Sequence, residues 1–356
     1  MGAIVINNKI SNVGVQSGLH DARAICDTVS TLLELPKTVG ILPSSTGVIG
    51  WQLPLCDMTS NLKELHDGLQ KTSILPAAMG ILTTDLYPKI RSAQLGGGSI
   101  VGIAKGAGMI EPNMATMLVF LVTDLDVPQP FLKSALQRAV DVSFNTISID
   151  SDTSTSDTVV LVSSGKVPVH SDAQLVEFEH HLTEICTQLA QDVVRNGEGT
   201  KHVIACTVCN APSAKLAASI GKSIVNSPLF KCAVAGNDPN VGRLIMAIGK
   251  EVGRSSEVTY HDPLAFTTIT MGGYTIFEKG YFTCNATLEA KLVAHMKEAE
   301  LYSTTPTCFP PHEKSVDITV DVGAQHWPSA TNVYSTTITG SDLTHDYVSI
   351  NADYRS

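Results

Sequence analysis

Residues 105–116 have the types and spacing most capable of chemistry in this chain. Gly106 and Gly108 precede Thr116, which is the first residue of an apolar run that extends to Asp124. If the peptide bond after the small residue Ala115 were cut, Thr116 would become a chain terminus. Its α-amine, with an unperturbed pKa of about 7.7 to 8.0, could then act as the base for its own hydroxyl. Such a residue supplies nucleophile and proton acceptor together, so no separate histidine is needed.

The same residues also have an ordinary interpretation. A threonine before an apolar run is usually a β-branched strand residue, and Thr46-Gly47 alone is typical of a turn. A lysine among glycines, such as Lys105, is normally a solvated surface charge. The residue types therefore leave the catalytic and the structural interpretation open.

The elements that would position these residues follow from periodicity. Residues 3–7 predict a core strand, residues 19–33 a helix, and the glycine-rich residues 95–108 a loop that feeds a buried central strand. The clearest helix is expected over 172–194, with Ser171 and Gln174 resembling a capping box. The other expected elements are strands at 39–42, 158–162 and 203–208, helices at 59–69, 131–142 and 213–225, and alternating strands between 266 and 339. This mixture, without strict alternation, predicts a layered α/β fold with at least partly antiparallel sheets.

Composition excludes several classes of protein. Hydrophobic residues at 43% and charged residues at 16% indicate a folded globular chain. The net charge of -10 argues against nucleic acid as a partner, because phosphate binding depends on clustered Lys and Arg. No apolar run approaches the ~18 to 20 residues that span a bilayer, so no membrane partner is expected.

No metal site is predicted. Cys206 and Cys209 form a CxxC without the second Cys or His pair that zinc needs. The acidic residues 150–157 lack the closing Glu of a calcium loop, and a hydrogen-bonded turn is the simpler interpretation.

The order of several blocks resembles one known family. Residues 105–118 closely match KGxGMIxPNMATML, the processing signature of the ornithine acetyltransferase family, the ArgJ-type enzymes of arginine biosynthesis. Further blocks resemble the family in the same order over essentially the whole chain, at residues 45–50, 83–85, 149–155, 196–199, 236–240 and 347–354.

The resemblance implies a self-processing glutamate N-acetyltransferase. The family cuts itself into an α chain, here 1–115, and a β chain, here 116–356, and its fold is a layered α/β sandwich of the DmpA/ArgJ-like N-terminal-nucleophile type with mixed, largely antiparallel sheets. Acetyl would pass from N2-acetylornithine to glutamate through an acetyl-Thr116 intermediate. No cofactor is expected, and acetyl-CoA is an open co-substrate for a second, amino-acid N-acetyltransferase activity.

The family's site residues carry over to matching positions. Thr46 and Gly47 would form the oxyanion hole, Lys105 would bind substrate, and Glu198 would hold the ornithine amine. The other substrate ligands implied by the resemblance are Thr83, Thr116, Asn351 and Ser356.

The chain also departs from the family pattern. Ser151 stands where glycine is usual, Val241 replaces a tryptophan, and the stretch between Thr84 and Lys105 is shortened. The family's leading segment is expected to be missing from the α chain.

Two other functions stay open from the sequence. An N-terminal-nucleophile amidohydrolase or aminopeptidase would resolve the acyl-enzyme with water, and a truncated relic would not process at all. The family implies a heterotetramer of two α and two β chains. The expected compartment is the mitochondrial matrix for a eukaryotic source such as a fungus, and the cytoplasm for a bacterial one.

Overall fold

The computed structural model describes residues 1–111, 117–258, 263–302, 309–326 and 332–353. Within these ranges thirteen strands form three sheets, surrounded by ten α-helices. The strands are β1 (Ala3–Asn7), β2 (Ile41–Ser45), β3 (Lys89–Leu95), β4 (Gly98–Lys105), β5 (Leu118–Asp126), β6 (Ile147–Ser148), β7 (Thr158–Pro168), β8 (Val203–Ala211), β9 (Thr268–Met271), β10 (Tyr274–Glu278), β11 (Tyr281–Phe282), β12 (Val316–Asp321) and β13 (Tyr334–Ser341). The helices are α1 (Gly18–Leu32), α2 (Leu55–Asp67), α3 (Leu75–Gly80), α4 (Gln129–Val142), α5 (Asp172–Arg195), α6 (Ala214–Val225), α7 (Pro228–Ala235), α8 (Val241–Val252), α9 (Ala286–Ala299) and α10 (His345–Ala352).

The sheets are mixed, and most pairs in the two larger ones are antiparallel. The four-stranded sheet has the order β3-β4-β5-β7, with only β5 and β7 parallel. The seven-stranded sheet has the order β11-β10-β9-β12-β8-β13-β6, with β12-β8 and β13-β6 parallel. A separate parallel pair joins β1 to β2. The predicted layered α/β class is confirmed.

Apolar side chains form a core on each side of the four-stranded sheet. One core lies between β5, β7 and the helices α4 and α5, and includes Val119, Leu121, Phe178 and Leu182. A smaller cluster on the opposite face contains Leu118 and packs against α3 and β1. The seven-stranded sheet buries its own cluster against α6, α7, α8 and α9. Central strand β5 is therefore covered on both faces, as its apolar run predicts.

Glycines shape the β3–β4 hairpin where the sequence predicted a loop. Gly96 and Gly97 adopt positive φ angles of 56° and 82°, which suit a two-residue hairpin turn. A Cβ at Gly102 would lie 2.7 Å from Leu121 Cδ2 and 2.9 Å from Leu189 Cδ1. The prediction of a loop over 95–108 was therefore wrong for β4, where glycine lets helix α5 approach the sheet closely.

Helix α9 replaces part of the region where the sequence predicted only strands. Asn285 caps it by accepting a hydrogen bond from the Leu288 N–H at 3.0 Å. Leu292 and Met296 then bury their side chains against the seven-stranded sheet.

The described residues contain no helix with the length and apolar character needed to cross a bilayer.

Candidate active site

A cleft of about 460 Å³ lies where the end of β4 meets the loop after β2 and the C-terminal helix α10. It is lined by Thr46, Gly47, Val48, Ile49, Thr83, Thr84, Lys105, Ala107, Gly108, Met109, Ser154, Thr155, Ser156, Glu198, Asn351 and Ala352. The structure therefore brings together six residues that the sequence singled out: Thr46, Gly47, Thr83, Lys105, Glu198 and Asn351. Three others, Ala115, Thr116 and Ser356, lie outside the described residues.

Thr46 and Gly47 form one edge of the cleft, directly after β2. The Thr46 N–H donates to the Asn7 carbonyl at 3.1 Å, which fixes the loop against the end of β1. Gly47 has a φ of 128°, and a Cβ there would run into the Lys9 carbonyl group, so only glycine fits. Within the described ranges, neither the Thr46 hydroxyl nor the Gly47 N–H has a hydrogen-bond partner. Both groups are free to bind a ligand.

Lys105 supplies a buried positive charge to the cleft wall. The residue is 6% exposed at the end of β4, and its ammonium has no ion pair or hydrogen bond among the residues that the structure describes. Burial lowers the pKa of Lys105, while the nearby Asp85 carboxylate opposes that change. A buried cation without a direct partner, at the wall of an open cleft, is suited to an anionic ligand.

The buried ion pair between Asp85 and Lys89 lies near Lys105. The side chains of Asp85 and Lys89 are both fully buried, with Lys89 Nζ 2.5 Å from Asp85 Oδ1 and 2.6 Å from Asn196 Oδ1. Asp85 also accepts hydrogen bonds from the Gly106 N–H at 2.7 Å and the Thr83 N–H at 3.1 Å. Burial alone would raise the pKa of Asp85, but the charges of Lys89 and Lys105 and these hydrogen bonds hold it below its ordinary value. Asp85 thus links the two chain segments that carry Thr83 and Lys105.

Glu198 and Asn351 form the opposite wall. The Asn351 side-chain amide donates to Glu198 Oε2 at 2.6 Å, and the Glu198 N–H donates to the Ala107 carbonyl at 2.7 Å. A Cβ at Gly108 would lie 2.5 Å from Glu198 Oε2, so glycine leaves room for the carboxylate. Helix α10 is thereby tied to the loop that follows β4, and an acidic group faces the cleft that Lys105 lines.

Asp150 fixes the path of the chain beyond Gly108. Its carboxylate accepts hydrogen bonds from the Met109 N–H at 2.6 Å and the Ile110 N–H at 2.8 Å. It also accepts one from the Tyr347 hydroxyl at 3.1 Å. Burial, together with the Asp150 charge, raises the pKa of Tyr347. The Asp150 carboxylate therefore holds residues 109–110 against helix α10.

The chain is held on both sides of residues 112–116. Before them, the Glu111 carboxylate accepts hydrogen bonds from the Asn226 side chain and, at 3.2 Å, from the Ser148 hydroxyl. After them, the Met117 carbonyl accepts from the Thr158 N–H at 2.9 Å, at the start of the β5–β7 pairing. Both flanks of the Ala115–Thr116 bond are thus anchored in the folded protein.

Sequence reasoning missed three carboxylates near this site. Asp85 and Asp150 each lay within a block that matched the family pattern, so the signal for their importance was present, whereas Asp157 lies two residues beyond the block at 149–155. The contacts of Asp85 with Gly106 and of Asp150 with Met109, Ile110 and Tyr347 join residues distant in the chain, and spacing does not reveal them.

The fold and the cleft define a layered α/β protein of the N-terminal-nucleophile type. The chain belongs to the ArgJ family, whose model matches residues 1–356. It is 37% identical over 358 residues to the arginine biosynthesis bifunctional protein ArgJ 2 of Clostridium acetobutylicum, covering 99% of this chain and 82% of that protein. It is 38% identical over 367 residues to the arginine biosynthesis bifunctional protein ArgJ of Rhizobium meliloti, covering 99% of this chain and 81% of that protein.

A solved structure gives the same assignment. The crystal structure of the arginine biosynthesis bifunctional protein ArgJ of Bacillus halodurans superposes with a TM-score of 0.54 and 29% sequence identity. The match covers 66% of this chain and 98% of that one. The family membership expected from the sequence blocks is confirmed.

Proposed function

We propose that this protein is a self-processing acetyltransferase of arginine biosynthesis that moves acetyl from N2-acetylornithine to glutamate through an acetyl-Thr116 intermediate. The observation that carries the proposal is the cleft itself. It gathers two unpartnered donors, one buried cation and one carboxylate beside the chain that leads to Thr116.

The charges of the cleft suit an acylated amino acid. Lys105 can bind the α-carboxylate of N-acetylornithine or glutamate, and Glu198 can bind the side-chain ammonium of ornithine. Buried polar groups of this kind discriminate strongly, because the wrong substrate leaves them unpaired. A volume of about 460 Å³ falls within the usual range for small-molecule sites. Thr83 and Asn351 border the same space, and Ser356 is proposed as a further ligand from the family resemblance.

Self-cleavage would create the nucleophile. Cutting the Ala115–Thr116 bond yields an α chain of residues 1–115 and a β chain of residues 116–356. The freed amine of Thr116 then accepts the proton of its own hydroxyl as that hydroxyl attacks the acetyl carbonyl. Ornithine leaves, and the glutamate amine attacks acetyl-Thr116 in the second half of a ping-pong cycle.

Thr46 and Gly47 would stabilise the oxyanion of each tetrahedral intermediate. Donors already in position cost no reorganisation during the reaction, and the Thr46 hydroxyl and Gly47 N–H make no competing hydrogen bond among the described residues. All groups used in these steps are protein groups, so we propose no cofactor.

Replacing Thr46 with alanine is expected to lower kcat by about 10² to 10³-fold, because one oxyanion donor is lost. The hydroxyl has no other partner in the described ranges, so the midpoint of thermal unfolding should change little. Thr46→Ser is the matched control, since it keeps the hydroxyl and should retain most activity. Equal kcat values for the alanine and serine variants would exclude the hydroxyl from this role.

The transfer reaction can be separated from hydrolysis by its dependence on acceptor. Purified protein is incubated with N-acetylornithine, with and without glutamate, and ornithine release and N-acetylglutamate formation are measured. Transfer predicts that glutamate accelerates ornithine release by at least tenfold, with one N-acetylglutamate formed per ornithine. Release that ignores glutamate would favour the amidohydrolase. A single uncut band without turnover would favour the non-catalytic relic. Replacing N-acetylornithine by acetyl-CoA in the same assay tests the second donor.

The family resemblance also suggests an assembly and a compartment. We propose a heterotetramer of two α and two β chains. The matrix of mitochondria is the proposed compartment for a eukaryotic source and the cytoplasm for a bacterial one.

A further inference from the structure

Asp157 carries a buried carboxylate that has no hydrogen-bond partner among the described residues. Both of its carboxylate oxygens are inaccessible to solvent, and neither accepts a hydrogen bond from the part of the chain that the structure describes. Burial raises the pKa of Asp157 to about 7, against the opposing effects of the nearby Met117 N–H, which does not reach hydrogen-bond geometry, and of the Lys105 charge. A buried unpaired carboxyl is costly, so its presence calls for a specific task.

Asp157 lies beside Met117, the residue that follows Thr116 in the chain. The parallel pairing of β5 and β7 begins at Leu118 and Thr158, and the preceding residues, Met117 and Asp157, line one small cavity of about 170 Å³. Thr116 is joined to Met117 by a peptide bond, which holds their Cα atoms about 3.8 Å apart. Asp157 therefore lies beside Met117, the residue whose nitrogen is bonded to the Thr116 carbonyl carbon, and the cavity between the described residues has room for a water molecule.

The first cleavage raises a chemical difficulty that later turnovers do not meet. In the uncut chain the nitrogen of Thr116 belongs to an amide, which is not basic. The Thr116 hydroxyl must therefore give its proton to another group when it attacks the Ala115 carbonyl. Only after the cut does Thr116 have a free α-amine that can serve as the base.

Other carboxylates around the cleft are already engaged. Asp85 is paired with Lys89, Glu198 accepts from Asn351, and Asp150 binds two backbone N–H groups. Asp157 alone among these four has both oxygens unpartnered within the described residues. The cationic groups facing its surroundings are Lys105 on β4 and Lys133 on α4.

We propose that Asp157 is the general base of the self-cleavage step, an inference that rests on the proposed function. Its carboxylate takes the proton of the Thr116 hydroxyl, directly or through one water, as Oγ bonds to the Ala115 carbonyl carbon. The resulting tetrahedral intermediate collapses with rupture of the carbon–nitrogen bond, and the proton held by Asp157 passes to the departing nitrogen. The product is an Ala115–Thr116 ester with a free α-amine. Water then hydrolyses this ester to the Ala115 carboxylate and the Thr116 hydroxyl.

The main test follows cutting of the full chain made by cell-free translation. A short labelling pulse is followed by transfer into buffers between pH 5.5 and pH 9, and the single band is resolved from the two products on denaturing gels. Asp157→Asn is expected to cut about 10² to 10⁴-fold more slowly than the parent chain, the usual contribution of a general base. Asp157→Glu should restore part of the rate. Asp152→Asn, which changes an exposed carboxylate of the same loop, should cut at the parent rate.

The pH dependence of the unsubstituted chain gives a test that does not depend on how a variant folds. Because the base must be ionised, the cutting rate should rise as the pH passes through about 7 and then level off. A rate that does not change across this range would overturn the proposal. So would an Asp157→Asn chain that cuts at the parent rate.

Hydroxylamine locates the blocked step, since it cleaves esters rapidly but leaves amides intact. It should not rescue Asp157→Asn if the ester fails to form. Rapid cleavage of that variant by hydroxylamine would show that the ester forms without Asp157, which contradicts the proposal. The parent chain separates this inference from the proposed function. If the parent chain is neither cut nor active, both the proposed function and the role of Asp157 are contradicted. If the parent is cut and active and Asp157→Asn is cut equally fast, only the role of Asp157 is contradicted.

Discussion

Replacing Thr116 with alanine is expected to leave the protein as one uncut polypeptide and to reduce acetyl transfer by about 10⁴-fold or more. The substitution removes the oxygen that attacks both the Ala115 carbonyl and the acetyl donor, so processing and turnover should fail together. Intact mass measurement reads the first effect, and N-acetylglutamate formation reads the second.

Thr116→Ser is the matched control for this experiment. Serine keeps a hydroxyl and, once cut, an α-amine, so the variant should still process and transfer at a reduced rate. Substantial transfer by Thr116→Ala, or full activity in protein whose residue 116 is still in peptide linkage, would contradict the proposed mechanism.

Replacing Lys89 with methionine is expected to lower the free energy of unfolding by about 3 to 5 kcal/mol, the usual cost of breaking a buried ion pair from one side. The partner, Asp85, would keep a buried charge without its main counterion. Urea denaturation measures the loss. Lys63→Met is a control with the same spacing, because Lys63 and Asp67 form an exposed pair and their loss should change stability little.

A double substitution separates the ion pair from other effects of the change. Lys89→Met combined with Asp85→Asn removes both charges and should recover part of the lost stability, giving a favourable coupling in a double-mutant cycle. The pH dependence has a defined sign. Because the pKa of Asp85 is lower in the folded state, the parent protein has this stabilisation above the unfolded pKa and loses it as pH falls through the folded one. In the double-mutant cycle, losses of stability that simply add for Lys89→Met and Asp85→Asn would show that the ion pair contributes nothing.

Elements with a clear period and cap were predictable. Helix α5 begins after Ser171, whose hydroxyl accepts a hydrogen bond from the Gln174 N–H, and its apolar positions face the core as expected. Strand β5 was expected from its apolar run. These elements succeed because local propensity and tertiary burial point to the same structure.

Elements whose residues serve distant contacts were not predictable. The glycines of β4 indicated a loop, because the need for close packing of α5 is not visible in a local window. Helix α9 was missed although Asn285, Leu288 and Leu292 carry a helical start and spacing. In β4 the residue types were informative only once their neighbours were known, whereas the signal for α9 was present in the sequence.

The same distinction applies to the candidate site. Family blocks selected Thr46, Lys105 and Glu198, and the cleft gathers them. The pairing of Asp85 with Lys89 was not foreseen. Residues four apart are expected to meet on a helix, but here Asp85 precedes strand β3 and Lys89 is its first residue. The lack of a hydrogen-bond partner for Asp157 among the described residues could not be foreseen either, since it depends on which residues surround the carboxylate in the fold.

The four-stranded sheet determines what a break at residue 115 would do to the molecule. Strands β3 and β4 precede the break and β5 and β7 follow it, while β4 remains paired to β5 from Ile100–Thr123 to Lys105–Leu118. The two fragments would share one sheet and one core, so they should migrate together in native gel filtration and melt in a single transition. Denaturant would be required to separate them, and neither fragment should exchange with a free copy in solution.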